Sequence, residues 1–289
     1  MEMVETEDQF VAAPRTPGAA LRAVGYRSVR ESPGQHRGLP SPFLTFIVTL
    51  DQPVRVAGTV EGGPAAIADL DVLVAGLHLE PAMVQMGTLQ TGVQAAIHPL
   101  AARALFGLPA RELRGRSLLG ENVLGAAAPR LRERLAIAPD WPQRFRVLAE
   151  ETSGWAASRE AARGPRPEVI AAWRLLEASR GRLRIDDLAT RVYLSRRRLS
   201  TLFDEELGLS PKQAARTMRF THAVARIGSG VRAGRLDLAE VAAQCGYADQ
   251  SHLVREFQAL AGTSPSGWIA EEFPNIQAGG HRYAAEWEA

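Results

Sequence analysis

The sequence predicts an α+β chain in two parts. The first is a β-rich, roll- or barrel-like domain with flanking helices. The second is an all-α domain in which two helix-turn-helix units are joined by a long helix. Three observations predict this. Between Arg22 and Ile97, short apolar and β-branched runs alternate with turn signals. From Pro99 onward, apolar residues recur at the three- or four-residue spacing of a helix face. Finally, SRRRLSTLFDEELGLSP at Ser195–Pro211 returns 54 residues later as DQSHLVREFQALAGTSP at Asp249–Pro265, with the same apolar, Gly and Pro skeleton.

A length of 289 residues favours two domains, and a hydrophobic content of 46% supplies material for real cores. The expected division is a loose tail over 1–16, a sensor or dimerisation domain over 17–155, a linker over 156–167, the helical domain over 168–272 and a tail over 273–289. The single Cys245 excludes an intramolecular disulfide and a CxxC zinc site, and fits a reducing cytoplasm. No signal peptide is legible at the start. The apolar stretch Ala65–Met86 is broken by Asp69, Asp71 and Glu80, so no membrane span is expected.

In chain order, Met1–Thr16 is polar and aperiodic. Leu44–Leu50, Val54–Val60, Leu70–Leu77, Met83–Met86 and Gly92–Ile97 read as strands. Asp51-Gln52-Pro53, Glu61–Pro64 and Glu80-Pro81 are turns between them. Pro99–Phe106 and Pro109–Leu113 begin the helical part. Leu124, Ala128, Leu131 and Leu135 form one apolar stripe, read as core, with a dimer surface as the alternative. Trp141–Trp155 continues as helix, with Phe145, Leu148 and Ala149 inward. Ala156–Pro167 has a linker's composition, and Glu168–Ile269 reads as helices.

The duplicated skeleton has helix-turn-helix grammar. In the second copy Leu238–Cys245 is a short helix and Gly246 makes the turn. Asp249 caps the next helix, which Gly262 and Pro265 end. In the first copy Ile185–Val192 leads, Ser195 caps and Gly208 stops. A uniform offset puts Ala189 on Ala243, Tyr193 on Tyr247 and Val192 on Gly246. Val192 there implies a different turn geometry or a strained backbone. Both tyrosines are expected to pack against their second helices as staples rather than to stack on nucleic acid. Pro211–Ile227 reads as the connecting helix, about 26 Å long at 1.5 Å per residue.

Shared positions are the buried ones. The positions that differ lie exposed at the start of each second helix: Arg196, Arg197, Arg198, Ser200 and Thr201 in one copy, Gln250, Ser251, His252 and Arg255 in the other. That end of a recognition helix enters the major groove, where Arg can pair with guanine and Gln with adenine. Between Gly181 and Arg235 stand eleven Arg and one Lys against three Asp and two Glu, a local excess of seven positive charges. Such a block fits a polyanion. Lys212, Arg216 and Arg219 on the connecting helix are candidates for phosphate contact.

The pattern from Ile185 to Trp268, with LSRRRLSTLF, GLSP, MRFTHAVARI, CGYADQSHLVREF and GTSPSGW, resembles the DNA-binding domain of the AraC/XylS transcription regulators. The resemblance implies two units in successive major grooves of promoter or operator DNA. It implies base contacts at Arg197, Ser200 and Thr201, and at Gln250, Ser251, His252 and Arg255. Ser200 and Thr201 are short for that role, and Val192 departs from the Gly usual in the first turn. HPLAARALFGLPARELRG and the helix after it resemble, more softly, the sensor domains of bacterial members. That implies a small-molecule signal, self-association as a homodimer, or both, and RNA polymerase as partner of an activator.

Catalytic signatures are thin: there is no GxSxG elbow, no Walker-type loop and no HExxH. No metal or other cofactor and no catalytic residue is expected. His78 and Glu80 share a strand face, yet His36, His78 and His98 make no HxH-type pair of the kind a cupin centre uses. Cys245 reads as a core thiol. The rival functions left open are a cupin-like enzyme with a helical regulatory domain, and a non-specific nucleoid-type binder.

Overall fold

The structure is a computed structural model that describes residues 7–14, 20–30, 33–57, 67–159 and 164–278. Residues 1–6 and 15–16 of the expected tail lie outside these, as do the Glu61–Pro64 turn, 160–163 of the linker and 279–289. The chain forms two compact units. One comprises Met1–His36, Phe43–Leu77 and Ala82–Gly164; the other comprises Arg37–Pro42, His78–Pro81 and Pro165–Ala289.

The first unit is built on two sheets. The strands are β1 (Glu7–Ala12), β2 (Leu21–Val29), β3 (Gly34–Gly38), β4 (Leu44–Thr49), β5 (Val54–Ala57), β6 (Ile67–Leu70), β7 (Val72–Ala75), β8 (Ala82–Met86), β9 (Leu89–Ile97) and β10 (Ser117–Leu119). One sheet has the order β1-β2-β9-β4-β7-β10, the other β3-β8-β5-β6. Residues 7–12, expected in a loose tail, instead form edge strand β1, paired antiparallel with β2 from Glu7↔Val29 to Ala12↔Val24. An edge strand is held by backbone pairing and needs little apolar periodicity, so composition hides it. The Asp8 carboxylate also accepts from Ser28 Oγ and Arg30 on β2.

Strand β4 shows how the layers arise. Its alternate residues Leu44, Phe46 and Val48 are almost wholly buried. Phe46 packs edge-on to Trp155 at 6.2 Å between ring centroids and against Phe106 at 6.4 Å. Those rings come from α4 (Trp141–Ser158) and α1 (Ala102–Phe106). From the opposite face, Ile47 joins Leu73 and Ala75 against Val54, Val56 and Leu70 of the small sheet. The large sheet thus lies between helices and the small sheet.

Between α1 and α4 stand the short α2 (Gly120–Leu124) and α3 (Ala127–Ile137). Ala128, Leu131 and Leu135 of α3 are fully buried, so this stripe is core and is not available as a dimer surface. On α4 the buried positions are Phe145, Leu148, Glu151, Thr152 and Trp155; Ala149, expected inward, is exposed. Its neighbour Leu148 already fills the inward position on that turn, and one residue on is about 100° around the helix.

The second unit consists of α5 (Pro167–Ala178), α6 (Ile185–Arg191), α7 (Arg196–Leu207), α8 (Pro211–Arg232), α9 (Leu238–Cys245), α10 (Gln250–Ala261) and α11 (Pro265–Ala278). The connecting helix α8 has 22 residues and runs past Ile227, its expected end, through Gly228 and Gly230, although glycine disfavours a helix interior. Tertiary packing overrides that signal: Ile227 and Gly228 are buried, and Val231 packs on the core. Similarly, α11 continues beyond residue 272, through Pro274, to Ala278. A proline removes one backbone donor, and here the helix carries on past it.

The core of the second half-unit centres on Phe220, Phe257 and Trp268, with ring centroids 5.1 and 5.8 Å apart in sequence. Cys245 lies inside the same cluster. Leu39, from the segment Arg37–Pro42, packs against it, and the Arg37 guanidinium donates to Glu271 at 2.9 Å and to the Ala261 carbonyl at 3.1 Å.

Candidate nucleic-acid interface

The two units of the repeat are shaped by local hydrogen bonding. Ser195 accepts from the Arg198 N–H at 3.2 Å, and Asp249 accepts from His252 N–H at 2.6 Å, so each second helix has a side-chain cap. Gly208 (φ 68°) and Gly262 (φ 69°) close α7 and α10 in the left-handed region. Between them, Ser210 and Gln213 form a capping box at the start of α8.

Charge is distributed unlike that of ordinary helices. Carboxylates favour a helix N-terminus and cations its C-terminus, because the macrodipole is positive at the start. The leading helices obey this: α6 opens with Asp186 and Asp187, and α9 has Glu240 in its first turn. Helix α7 does not, and α10 carries its one carboxylate there at the N-cap, Asp249. Neither α7 nor α10 has an acidic residue in its first turn, and α7 opens with Arg196, Arg197 and Arg198, all exposed. Three cations at a positive helix end do nothing for the fold, and they suit a polyanion outside it.

Arg196 pairs with Asp186 at 3.1 Å in an exposed bridge of little energetic weight. Arg197 and Arg198 make no side-chain bond to any described residue. Ser200 is half-buried, and the Thr201 hydroxyl donates back to the Arg197 carbonyl at 3.1 Å. In the second unit Gln250, Ser251 and Arg255 are exposed, and Arg255 has no carboxylate partner among the described residues. His252 is turned inward: its Nδ1 accepts from the Ala248 N–H at 3.3 Å, and its ring meets Tyr247 edge-on at 5.3 Å. On α8, Lys212 is exposed. Arg216 pairs with Glu256 at 2.7 Å and Arg219 donates to the Gly181 carbonyl at 2.7 Å, so both are committed to protein acceptors.

Residues 188–271 match the family model of a helix-turn-helix domain, the AraC-type form. The chain carries an AraC-type helix-turn-helix domain. No curated protein sequence matches the chain. Among solved structures, an apo variant of ToxT from Vibrio cholerae is 10% identical with TM-score 0.53, covering 89% of this chain and 99% of that one. A second ToxT crystal form is 13% identical with TM-score 0.51, covering 88% and 99%. At 10% identity and TM-score 0.50, wild-type ToxT with a bound unsaturated fatty acid covers 89% of this chain and 98% of its own. These likenesses extend the shared fold to the β-rich unit as well.

Within the AraC-type domain, the two turns differ in a way the uniform offset conceals. Leading helices α6 and α9 correspond at 53 residues, N-cap Arg184 to Asp237, while the second helices correspond at 54, N-cap Ser195 to Asp249. The first turn is one residue shorter. Leu194 N–H bonds to the Ala189 carbonyl at 2.9 Å as Tyr247 N–H bonds to that of Ala242 at 2.9 Å, so Leu194, not Tyr193, is the partner of Tyr247. Val192 has an ordinary φ of −101°, and the expected strain falls one residue later, on Tyr193 at φ 57°. Tyr247 is buried at 5% exposure, as a packing residue should be, whereas Tyr193 is 95% exposed and packs on nothing among the described residues. Sequence alignment missed this because Tyr matched Tyr, and only the hydrogen bonds reveal the register. For the β-rich unit, no group of three or more His, Cys, Asp or Glu among the described residues is placed to hold a metal ion. His78 is half-buried, and the partial loss of water lowers its pKa. No helix among the described residues is long and apolar enough to cross a membrane.

Proposed function

We propose that the protein is a sequence-specific transcription regulator that binds double-stranded DNA and catalyses no reaction. The observation that carries this is the inverted charge at the start of α7, where Arg196, Arg197 and Arg198 stand exposed while the leading helices keep the usual order; the equivalent face of α10 presents exposed Gln250, Ser251 and Arg255. Helices α7 and α10 enter successive major grooves. Arg197 and its neighbours Arg196 and Arg198 read the first half of the site, with Ser200 and Thr201 at its edge. Gln250, Ser251 and Arg255 read the second, where His252 braces the turn and presents its remaining ring nitrogen. At 22 residues α8 is about 33 Å long, close to the ~34 Å that separates groove segments on one side of the duplex. Lys212 contacts phosphate; Arg216 and Arg219 hold α8 to its neighbours and lend their charge from there.

The β-rich unit conveys a signal, through a small molecule, self-association or both. The fold it shares with ToxT, one structure of which holds an unsaturated fatty acid, supports a small-molecule effector. A ligand acts by its differential affinity for the DNA-competent state. An activator of this kind also meets RNA polymerase.

Selection from a random duplex library, followed by footprinting against excess competitor at physiological salt, tests the reading. The expected result is one preferred sequence protected over about two helical turns per protomer. Salt-sensitive binding without a preferred sequence would instead establish a non-specific, nucleoid-type binder.

A further inference from the structure

Tyr193 occupies a backbone conformation that bulky residues rarely adopt, at φ 57°, and its side chain is 95% exposed. No intramolecular packing offsets that strain. The second unit places Gly246 at the equivalent turn position, with φ 77°, and a Cβ there would lie 3.0 Å from the Arg182 side chain. One turn therefore uses the residue that suits this φ, while the other holds a tyrosine out into solvent at an energetic disadvantage. The hydrogen bonds that close α6, from Tyr193 N–H to the Thr190 carbonyl at 3.1 Å and from Leu194 N–H to the Ala189 carbonyl at 2.9 Å, need this conformation but not a tyrosine, so an exposed bulky side chain here points to a use outside the chain.

Its surroundings say what. Tyr193 stands three residues before Arg196, at the head of the helix whose first turn is Arg196, Arg197 and Arg198. Arg191, also exposed, flanks it on the other side. An exposed aromatic side chain in a segment with exposed Arg on both sides, just ahead of the positive end of a helix, suits a polyanion. A phenol hydroxyl donates well to a phosphate oxygen, and the ring covers the sugar beside it.

We infer that Tyr193 is a DNA-backbone contact that clamps the rim of the major groove read by α7. This rests on the DNA-reading function proposed above. Tyrosine carries no base code in this position and adds no cation, so it sets affinity and register rather than sequence preference.

The test uses the full chain and the duplex it selects from a random library. Tyr193→Gly relieves the backbone strain, so the variant is expected to melt at the same temperature or higher, which keeps folding separate from binding. Its affinity is expected to fall about five- to tenfold, with base preference and salt slope unchanged. Tyr193→Phe, which keeps the ring, is expected to lose only part of that. Full affinity in a normally folded Tyr193→Gly variant would overturn the clamp and leave the residue to a protein partner. A changed preference at one base position would overturn the backbone assignment. Failure of the wild-type chain to select any duplex would remove the DNA-reading function itself, and this inference with it.

Discussion

Arg255 stands exposed on α10 with no carboxylate partner among the described residues, so its side chain is available to a base edge. Arg255→Ala is expected to weaken binding to the preferred duplex by about 1–3 kcal/mol and to relax preference at one position. Lys212→Ala is expected instead to weaken all sequences alike and to lower the salt slope by about one; titrations at several salt concentrations separate the two. Glu151 in the β-rich unit gives a pH prediction. Burial pushes its carboxyl up, but hydrogen bonds from Arg134 at 2.7 Å and Arg130 at 3.1 Å, with their charges, outweigh burial and hold it below the usual value. The folded state therefore binds this proton less readily than the unfolded chain. The stability it contributes is whole above the ordinary carboxylate pKa and is lost as pH falls through the lowered one. Glu151→Gln is expected to lower the melting temperature at pH 7, where the charged pair is intact, and to flatten the acid limb below about pH 5, where the wild-type carboxyl itself becomes protonated. At this scale the exposed faces of α7 and α10 were legible, because the residues differing between copies are those the core does not constrain. The inward turn of His252 and the engagement of Arg216 and Arg219 were not, because their partners lie on other elements or across a turn.

At the scale of elements, capping and glycine signals placed most helix ends. Ser195, Ser210 and Asp249 cap where their side chains can reach free N–H groups, and that chemistry is local. Gly246 is one of these signals, with φ 77° and the Arg182 side chain 3.0 Å from a would-be Cβ. Gly246→Ala is expected to destabilise the domain by about 1–2 kcal/mol, read as a lower melting temperature. The opposite sign is expected at Tyr193, where glycine relieves the same backbone conformation. Elements without local signals escaped the sequence: β1 is held by pairing with β2, and the last turns of α8 are held by core contacts of Ile227 and Val231. The shorter first turn escaped for a related reason. A register shift of one residue leaves apolar spacing almost intact, and the chance match of two tyrosines hid it.

At the scale of the whole molecule, the helical unit has its own core around Phe220, Phe257 and Trp268, so a fragment beginning at Pro165 is expected to fold and to select the same duplex sequence as the full chain. It is expected to melt lower, since it lacks Leu39 and the Arg37 bonds to Glu271 and Ala261. Circular dichroism and library selection check both; an unfolded fragment would show that the segment Arg37–Pro42 is indispensable. By itself the sequence determined the two-part architecture, the paired helix-turn-helix units and the faces that differ between them. Hydrophobic period, caps and turn residues act over a few positions and are written where they act. Only the tertiary structure decided that the α3 stripe is core, that residues 7–12 complete a sheet, that Arg216 and Arg219, two of the three candidate phosphate contacts on α8, have protein partners, and that Tyr193 stands strained and exposed. Each of these depends on which distant residue arrives as a neighbour, and that is settled by packing rather than by local pattern.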